Sequence, residues 1–416
     1  MLRLASLIAL GGALLGAPDT KAPPLPPNSC IDCHGDVLEQ AGVDVHRAAG
    51  FSCVDCHHGN PAVEDEEQAM SRARGFIGRP KGWAVAQLCG SCHSDIERMR
   101  TVSPRLPTDQ LAQYRTSRHG KLAAQGNPRV ATCVSCHGFH GIRPVKDPAS
   151  TASKARIVET CTSCHNPTYM KGAGIPTDQL EKYKLSVHGQ KRLVERDLAA
   201  PACNDCHGNH GAAPPGVLAV THVCGRCHVT QAELFESSSH SAHFRQRGAP
   251  PCTTCHSHHD ILAPRDELLG AGQGGACGAC HQPGDRCDQA TDRMKNQLAR
   301  LGAATTRARD SLSLAERLGM DVERPTYELA GATDAAVRAR VEVHAFSEER
   351  FAKVVDDGVA TAAEVEKAAA ARLDEYQFRR KGLAMAAAML LLFAGLLGLK
   401  ARRLDRMRRG EGPTAG

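Results

Sequence analysis

Residues 133–141 read CVSCHGFHG. Two cysteines stand three positions apart, His137 follows the second directly, and His140 comes three residues later. The Cys-x-x-Cys-His unit occurs nine times and absorbs every cysteine except Cys287. Paired CxxC segments also bind zinc or act as redox dithiols, but neither chemistry needs a histidine behind the second thiol. The five-residue pattern is that of c-type haem attachment. Thiols three apart lie on one side of a helical turn, where they can add to two vinyl groups on one porphyrin edge. The next residue then presents its imidazole to the iron. The pattern predicts nine covalent haems c. Their thioether positions are Cys30 and Cys33, Cys53 and Cys56, Cys89 and Cys92, Cys133 and Cys136, Cys161 and Cys164, Cys203 and Cys206, Cys224 and Cys227, Cys252 and Cys255, and Cys277 and Cys280. The proximal ligands are His34, His57, His93, His137, His165, His207, His228, His256 and His281.

Composition agrees. The 416 residues hold 21 histidines and 19 cysteines but only 4% aromatics, so porphyrin would supply the missing apolar core. The bare chain carries a formal charge of +6. Each ferric haem adds roughly −1 through its propionates, so the loaded protein turns acidic. No basic stripe interleaved with aromatics suggests a single-strand nucleic-acid binder, and no nucleic-acid partner is expected.

His137 cannot share its iron with His140, because the tether that seats one leaves no chain length for the other to reach the opposite face. Two sets of recurring histidines are therefore expected as distal ligands. One set follows the proximal histidine by three: His140, His210 and His259. The other lies in the repeats PTDQLAQYRTSRHG (107–120) and PTDQLEKYKLSVHG (176–189) and the weaker LFESSSHS (234–241), giving His119, His188 and His240. Each repeat leads into a two-motif unit. Four such units follow a lone motif at Cys30. The first is diverged: it reads CVDCHHGNP, with Asn60 at the usual ligand offset, and His46 lacks a preceding serine. His46 and His58 are assigned there. His222, His243 and His258 are spare, each a ligand, a propionate partner or a surface residue.

At the N-terminus, Arg3 and the apolar run Leu4–Ala17 predict a signal peptide over 1–18, with an uncleaved anchor as the other reading. The motif-bearing domain spans 28–287. Beyond it, Ala, Arg, Glu and Leu dominate and predict a helical stalk over 288–380. Met294, Leu298, Leu301, Thr305, Ala308, Leu312 and Ala315 keep a 4-3 spacing up to Gly319. A second helix begins near Pro325, with Val337, Val341 and His344 on one inward face. His344 completes nine distal ligands for nine irons. Thr361-Ala-Ala-Glu364 has capping-box form, and a helix is expected from there to about Arg409. Residues 383–399 carry no charge, at the lower length limit of a membrane span. The heavier basic flank, 400–416, predicts a cytoplasmic tail. The localisation expected is the inner membrane, with a single C-terminal pass and the haem domain in the periplasm.

By its nine CxxCH motifs, its Y-x-x-S-x-H-G segments and its CHGxH pairs, the chain resembles bacterial multihaem c-type cytochromes of the paired-motif, cytochrome c3-like kind over about residues 28–287. Its tail, with Arg340-Val-Glu-Val-His344-Ala-Phe346 and a C-terminal anchor, resembles membrane-bound members. The resemblance implies a mainly α fold with much irregular structure, organised by stacked haems, and low-potential bis-histidine electron transfer. The function expected is electron transfer between a membrane quinol or integral membrane redox subunit and a periplasmic donor or acceptor protein. The alternative is a multihaem reductase or oxidase of a small nitrogen or sulfur compound. It would need an open iron, for which the first unit or the lead motif at Cys30 is the place.

Overall fold

The computed structural model describes residues 28–216 and 219–410; the expected signal peptide lies outside them. The described residues are mainly helical, with long irregular connections and no strand. They form two compact units, 28–216 with 258–263, and 219–257 with 264–410. The motif-bearing stretch 28–287 therefore contributes to both.

Among the described residues four motifs lie whole on one-turn helices, α1 (Cys53–His57), α2 (Cys133–His137), α3 (Cys203–His207) and α4 (Pro251–His256), and the Cys30 motif begins on another, Ser29–Cys33, that ends just before His34. Such short helices cannot persist on propensity alone; local caps define them. The residue before the second cysteine reaches back to the N-cap. Asp55 accepts from the Ser52 N–H at 2.7 Å, Ser135 from Thr132 at 3.0 Å, and Asp205 from Ala202 at 2.8 Å. In α4 a proline at the first position does similar work. That is why the motif interiors read VD, VS, ND and TT.

The Y-x-x-S-x-H-G repeat has a reason at each letter. Tyr114 and Tyr183 donate their hydroxyls to Ala131 and Pro201, two residues before Cys133 and Cys203, at 2.8 and 2.7 Å. Ser117 and Ser186 donate to the Tyr114 and Tyr183 carbonyls, then accept from the Gly120 and Gly189 N–H groups. A Cβ on Gly120 or Gly189 would fall 1.9 or 1.8 Å from those same tyrosine carbonyls. The histidine is carried between serine and glycine. Three backbone clasps repeat as well, from Val45 to Ile142, Arg118 to Ala212 and Val187 to Ile261, at 2.9, 3.1 and 2.8 Å. Each ties the residue before His46, His119 or His188 to the second residue after His140, His210 or His259.

In the second unit, α5 (Arg286–Arg317), α6 (Glu323–Glu342) and α7 (Glu348–Arg408) pack as an up-down-up bundle. The 4-3 stripe on α5 is buried as its spacing predicts, meeting Phe351, Val355, Gly358, Ala362, Val365 and Ala369 of α7. Arg293, Arg300 and Arg307, one heptad apart, pair with Glu348, Asp356 and Glu366 along the parallel α5–α7 seam.

Two local expectations differ. Ser347, not Thr361, caps α7, accepting from the Arg350 N–H. Thr361 lies inside the helix and donates to the Asp357 carbonyl at 2.9 Å, because packing of the 351–358 turns extends the helix upstream. The inward face of α6 is Leu329, Ala332, Ala335 and Ala339, while Val337 is 60% exposed; His344 sits in the 3₁₀ turn after the helix. Beyond Tyr376 nothing on α7 is packed. An 18-residue window there has mean hydropathy 2.3 and none of it is buried, so this helix is long and apolar enough to cross a membrane.

Candidate haem sites

Among the described residues, at least seven CxxCH histidines meet a second histidine ring to ring. In the first unit the pairs are His93 with His46, His57 with His140, His165 with His119, His137 with His210, and His207 with His259, at centroid distances of 5.9, 6.0, 6.1, 6.1 and 5.9 Å. In the second they are His281 with His240 and His256 with His344, at 6.2 and 5.9 Å. Two metal–nitrogen bonds of about 2.0 Å plus the ring radii put such centroids about 6 Å apart, so each gap fits one metal between two imidazoles.

The rings are aimed by their other nitrogen. Nδ1 lies 2.7 Å from the Gly78 carbonyl in His57, 3.2 Å from Ala213 in His207 and 2.9 Å from Val341 in His344. It lies 3.1 Å from the Asp44 carboxylate in His46 and 3.2 Å from Asp285 in His281. Tying Nδ1 fixes the tautomer and leaves Nε2 for a metal. Burial holds His93, His119, His137, His165, His210, His240, His256 and His259 below the usual imidazole range, hence neutral, the form that ligates.

First cysteines also meet in pairs. Thiols of Cys30 and Cys53, Cys89 and Cys133, and Cys161 and Cys203 touch in the first unit, and Cys224 and Cys252 in the second. Contact between Cys89 and Cys133 raises the former and lowers the latter. Neighbouring CxxCH motifs thus abut at their first cysteines. In the motif-bearing stretch of the first unit, one small buried apolar cluster, Ala86, Tyr114 and Ala123, is present among the described residues. The residues fit haem, with room where a polypeptide core would otherwise be.

The remaining expected positions fall as follows. His188 is the second residue of the helix capped by Ser186, as His119 is of the one capped by Ser117. His34 is exposed, and among the described residues no ring faces it. His58, expected as a ligand, is exposed at the turn after α1 with φ 60°, and no described ring contact joins it to a proximal histidine. Of the spare histidines, His258 packs edge-on to His259 at 4.8 Å, while His222 and His243 are exposed. Cys287 touches Cys277, and burial together with that neighbour pushes its thiol up to about 12. With His281 and Asp285 it forms a group whose ligand atoms lie within 4.8 Å, part of the same Cys277 site.

Two supporting residues escaped the sequence reading. Asp44 stands two before His46, the offset of Ser117 before His119; it accepts from the His46 and Ile142 N–H groups at 2.8 and 3.0 Å. Allowing any N-cap residue at that offset, rather than serine alone, finds it. Phe346 stacks on His240 at 3.7 Å, and no pattern pointed to it.

Comparison with known proteins agrees with this geometry. Residues 45–166 match the cytochrome c3 family, and residues 148–229 match cytochrome c7 and related cytochromes c. A C-type polyheme cytochrome, OmcC, of Geobacter sulfurreducens is 24% identical over 151 residues, which is 35% of this chain and 15% of that protein. No solved structure matches. These findings support a multihaem c-type cytochrome with covalently bound haem c and suggest electron transfer.

Proposed function

We propose that the chain is a membrane-anchored periplasmic cytochrome that carries nine haems c and passes electrons between the membrane and a periplasmic redox partner. The observation that carries this reading is the set of seven imidazole pairs about 6 Å apart, five of their rings fixed through Nδ1. Bound haem supplies one-electron chemistry whose potential follows axial ligands, hydrogen bonding and burial.

The chain's own part is to hold ligands. Each of His140, His210 and His259 reaches back to the proximal histidine of the preceding one-turn motif, and His344 does so for His256. His46, His119 and His240 serve the second motif of their own repeat, and the repeat makes His188 a ligand as well. At the paired sites both imidazoles are built into caps and clasps, so the chain would hold an iron between them with little rearrangement on reduction. Touching thiols set successive attachment sites edge to edge. Quinol or an integral membrane subunit is the membrane-side partner, reached through α7, with the basic tail from Lys400 on the cytoplasmic side. The periplasmic side meets a donor or acceptor protein.

The test is intact mass and iron content of the exported protein, with low-temperature EPR of its oxidised form. Nine haem additions, dominated by low-spin ferric signals, are expected. A colourless chain, or zinc in place of iron, refutes the reading.

A further inference from the structure

The repeat has a register, and it points one step further back than the histidines go. In three units the residue three after a one-turn motif's proximal histidine faces the proximal histidine of the motif before it in that series: His140 faces His57, His210 faces His137 and His259 faces His207. Carried back once more, the residue three after His57 addresses His34. That residue is Asn60.

The local structure ties this segment to the Cys30 motif directly, by a clasp of its own. The segment after Asn60 is fastened to the start of the Cys30 motif: Ser29 donates its N–H to the Pro61 carbonyl at 3.0 Å and its hydroxyl to Val63 at 2.7 Å. Thiols of Cys30 and Cys53 touch, as do those of Cys89 and Cys133. Asn60 itself is pinned. Its N–H donates to Ala69 at 2.9 Å, and its Oδ1 accepts from the Ala62 N–H at 3.1 Å. All 21 histidines lie among the described residues, yet none has its ring against His34. His58, the nearest in sequence, is exposed at a positive-φ turn. His34 is itself exposed, whereas the seven paired proximal histidines are half-buried.

We infer that the haem site at Cys30, Cys33 and His34 has Asn60 on its distal side in place of a ligating histidine, and takes a small exogenous ligand there. A neutral carboxamide is a poor ligand beside imidazole, and the oxygen of this one is already engaged by Ala62. Its Nδ2 is left as a donor. The ligand class is a diatomic or small anion that binds through carbon or nitrogen and accepts a hydrogen bond at its outer atom, such as carbon monoxide, nitric oxide, cyanide or nitrite. This rests on haem attachment at the Cys30 motif, as in the function proposed above.

The experiment uses the full-length, haem-loaded protein in detergent, with haem count from intact mass, carbon monoxide titrated into the reduced form and cyanide into the oxidised form. The expected result is one carbon monoxide per chain and one high-spin ferric signal that cyanide removes. Asn60→His should abolish both at unchanged haem count. Asn60→Ala should keep the stoichiometry and weaken cyanide binding roughly 5-fold, the worth of one neutral hydrogen bond. No uptake by the wild type, uptake at two or more haems, uptake surviving in Asn60→His, or cyanide affinity unchanged in Asn60→Ala would each overturn the inference. Should Asn60→His fail to load, the Asn60→Ala comparison decides. A chain with too few haems would instead refute the proposed function, and the mass reports that separately.

Discussion

At the residue scale, four motifs end in one backbone turn. The residue after the proximal histidine has φ of 60° in His58, 78° in Gly138, 84° in Gly208 and 62° in Ser257, with ψ near ±180° or −144°. That region is open to glycine and strained for other residues, at about 1–3 kcal/mol. His58→Gly and Ser257→Gly should therefore each stabilise by about 1 kcal/mol, seen as a higher denaturant midpoint for loss of the low-spin spectrum. Gly138→Ala and Gly208→Ala should move the midpoint the other way. His58→Gly carries a second readout. As a turn residue its loss leaves every low-spin signal intact; a new high-spin signal would make it a ligand after all. The nine CxxCH motifs stand out in the sequence because the spacing that covalent haem attachment requires is fixed. The part played by His58 was not legible because two adjacent histidines look alike in sequence; the backbone turns His58 outward at φ 60° and ties His57 through Nδ1 to Gly78.

At the element scale, the stalk was legible where hydrophobic period decides and illegible where caps compete. Met294 to Ala315 keep a 3.5-residue period that only a packed helix face satisfies. Thr361-x-x-Glu364 imitates a helix start, but thirteen residues of packed helix upstream outweigh one local hydrogen bond. The tightest point of the bundle is Gly358, where a Cβ would lie 2.5 Å from the Ala335 Cβ and 3.0 Å from Leu301. Neither neighbour can rotate away: one is a backbone-fixed methyl and the other is fully buried. Gly358→Ala gains helix propensity of about 1 kcal/mol but overpacks, at typically 1–3 kcal/mol, so net destabilisation of the stalk is expected. Gly331, exposed on α6, is the control: its Cβ would meet only Thr361 at 3.7 Å. Gly331→Ala should stabilise by about 0.5–1 kcal/mol. Far-UV circular dichroism melts of the two variants should shift in opposite directions. A shift upward in both would mean the α6–α7 contact is looser than its geometry.

For the whole molecule, what the sequence left open was which histidines meet. His137 and His210 are 73 residues apart, and nothing local joins them. The pairing follows from clasps such as Arg118 to Ala212, backbone bonds with no residue signature. The same logic gives the stalk a second duty within its unit. The turn after α6 places His344 5.9 Å from His256, and Phe346, at φ 52°, against His240. The bundle thus helps build two of the imidazole pairs as well as carrying the apolar helix. These duties separate by truncation. A chain ending at Arg380 keeps the packed part of α7, which stops at Tyr376, and keeps His344. It should leave the membrane fraction yet retain the full set of low-spin signals. His344→Ala in the full-length chain should do the reverse. It stays in the membrane fraction but shows one additional high-spin haem and one shifted midpoint in a redox titration. Because His344 lies outside the buried stripes of α5, α6 and α7, the stalk's helical melt should not change. If His344→Ala alters the melt and leaves the spectrum alone, the histidine is packing, and the stalk serves only as an anchor.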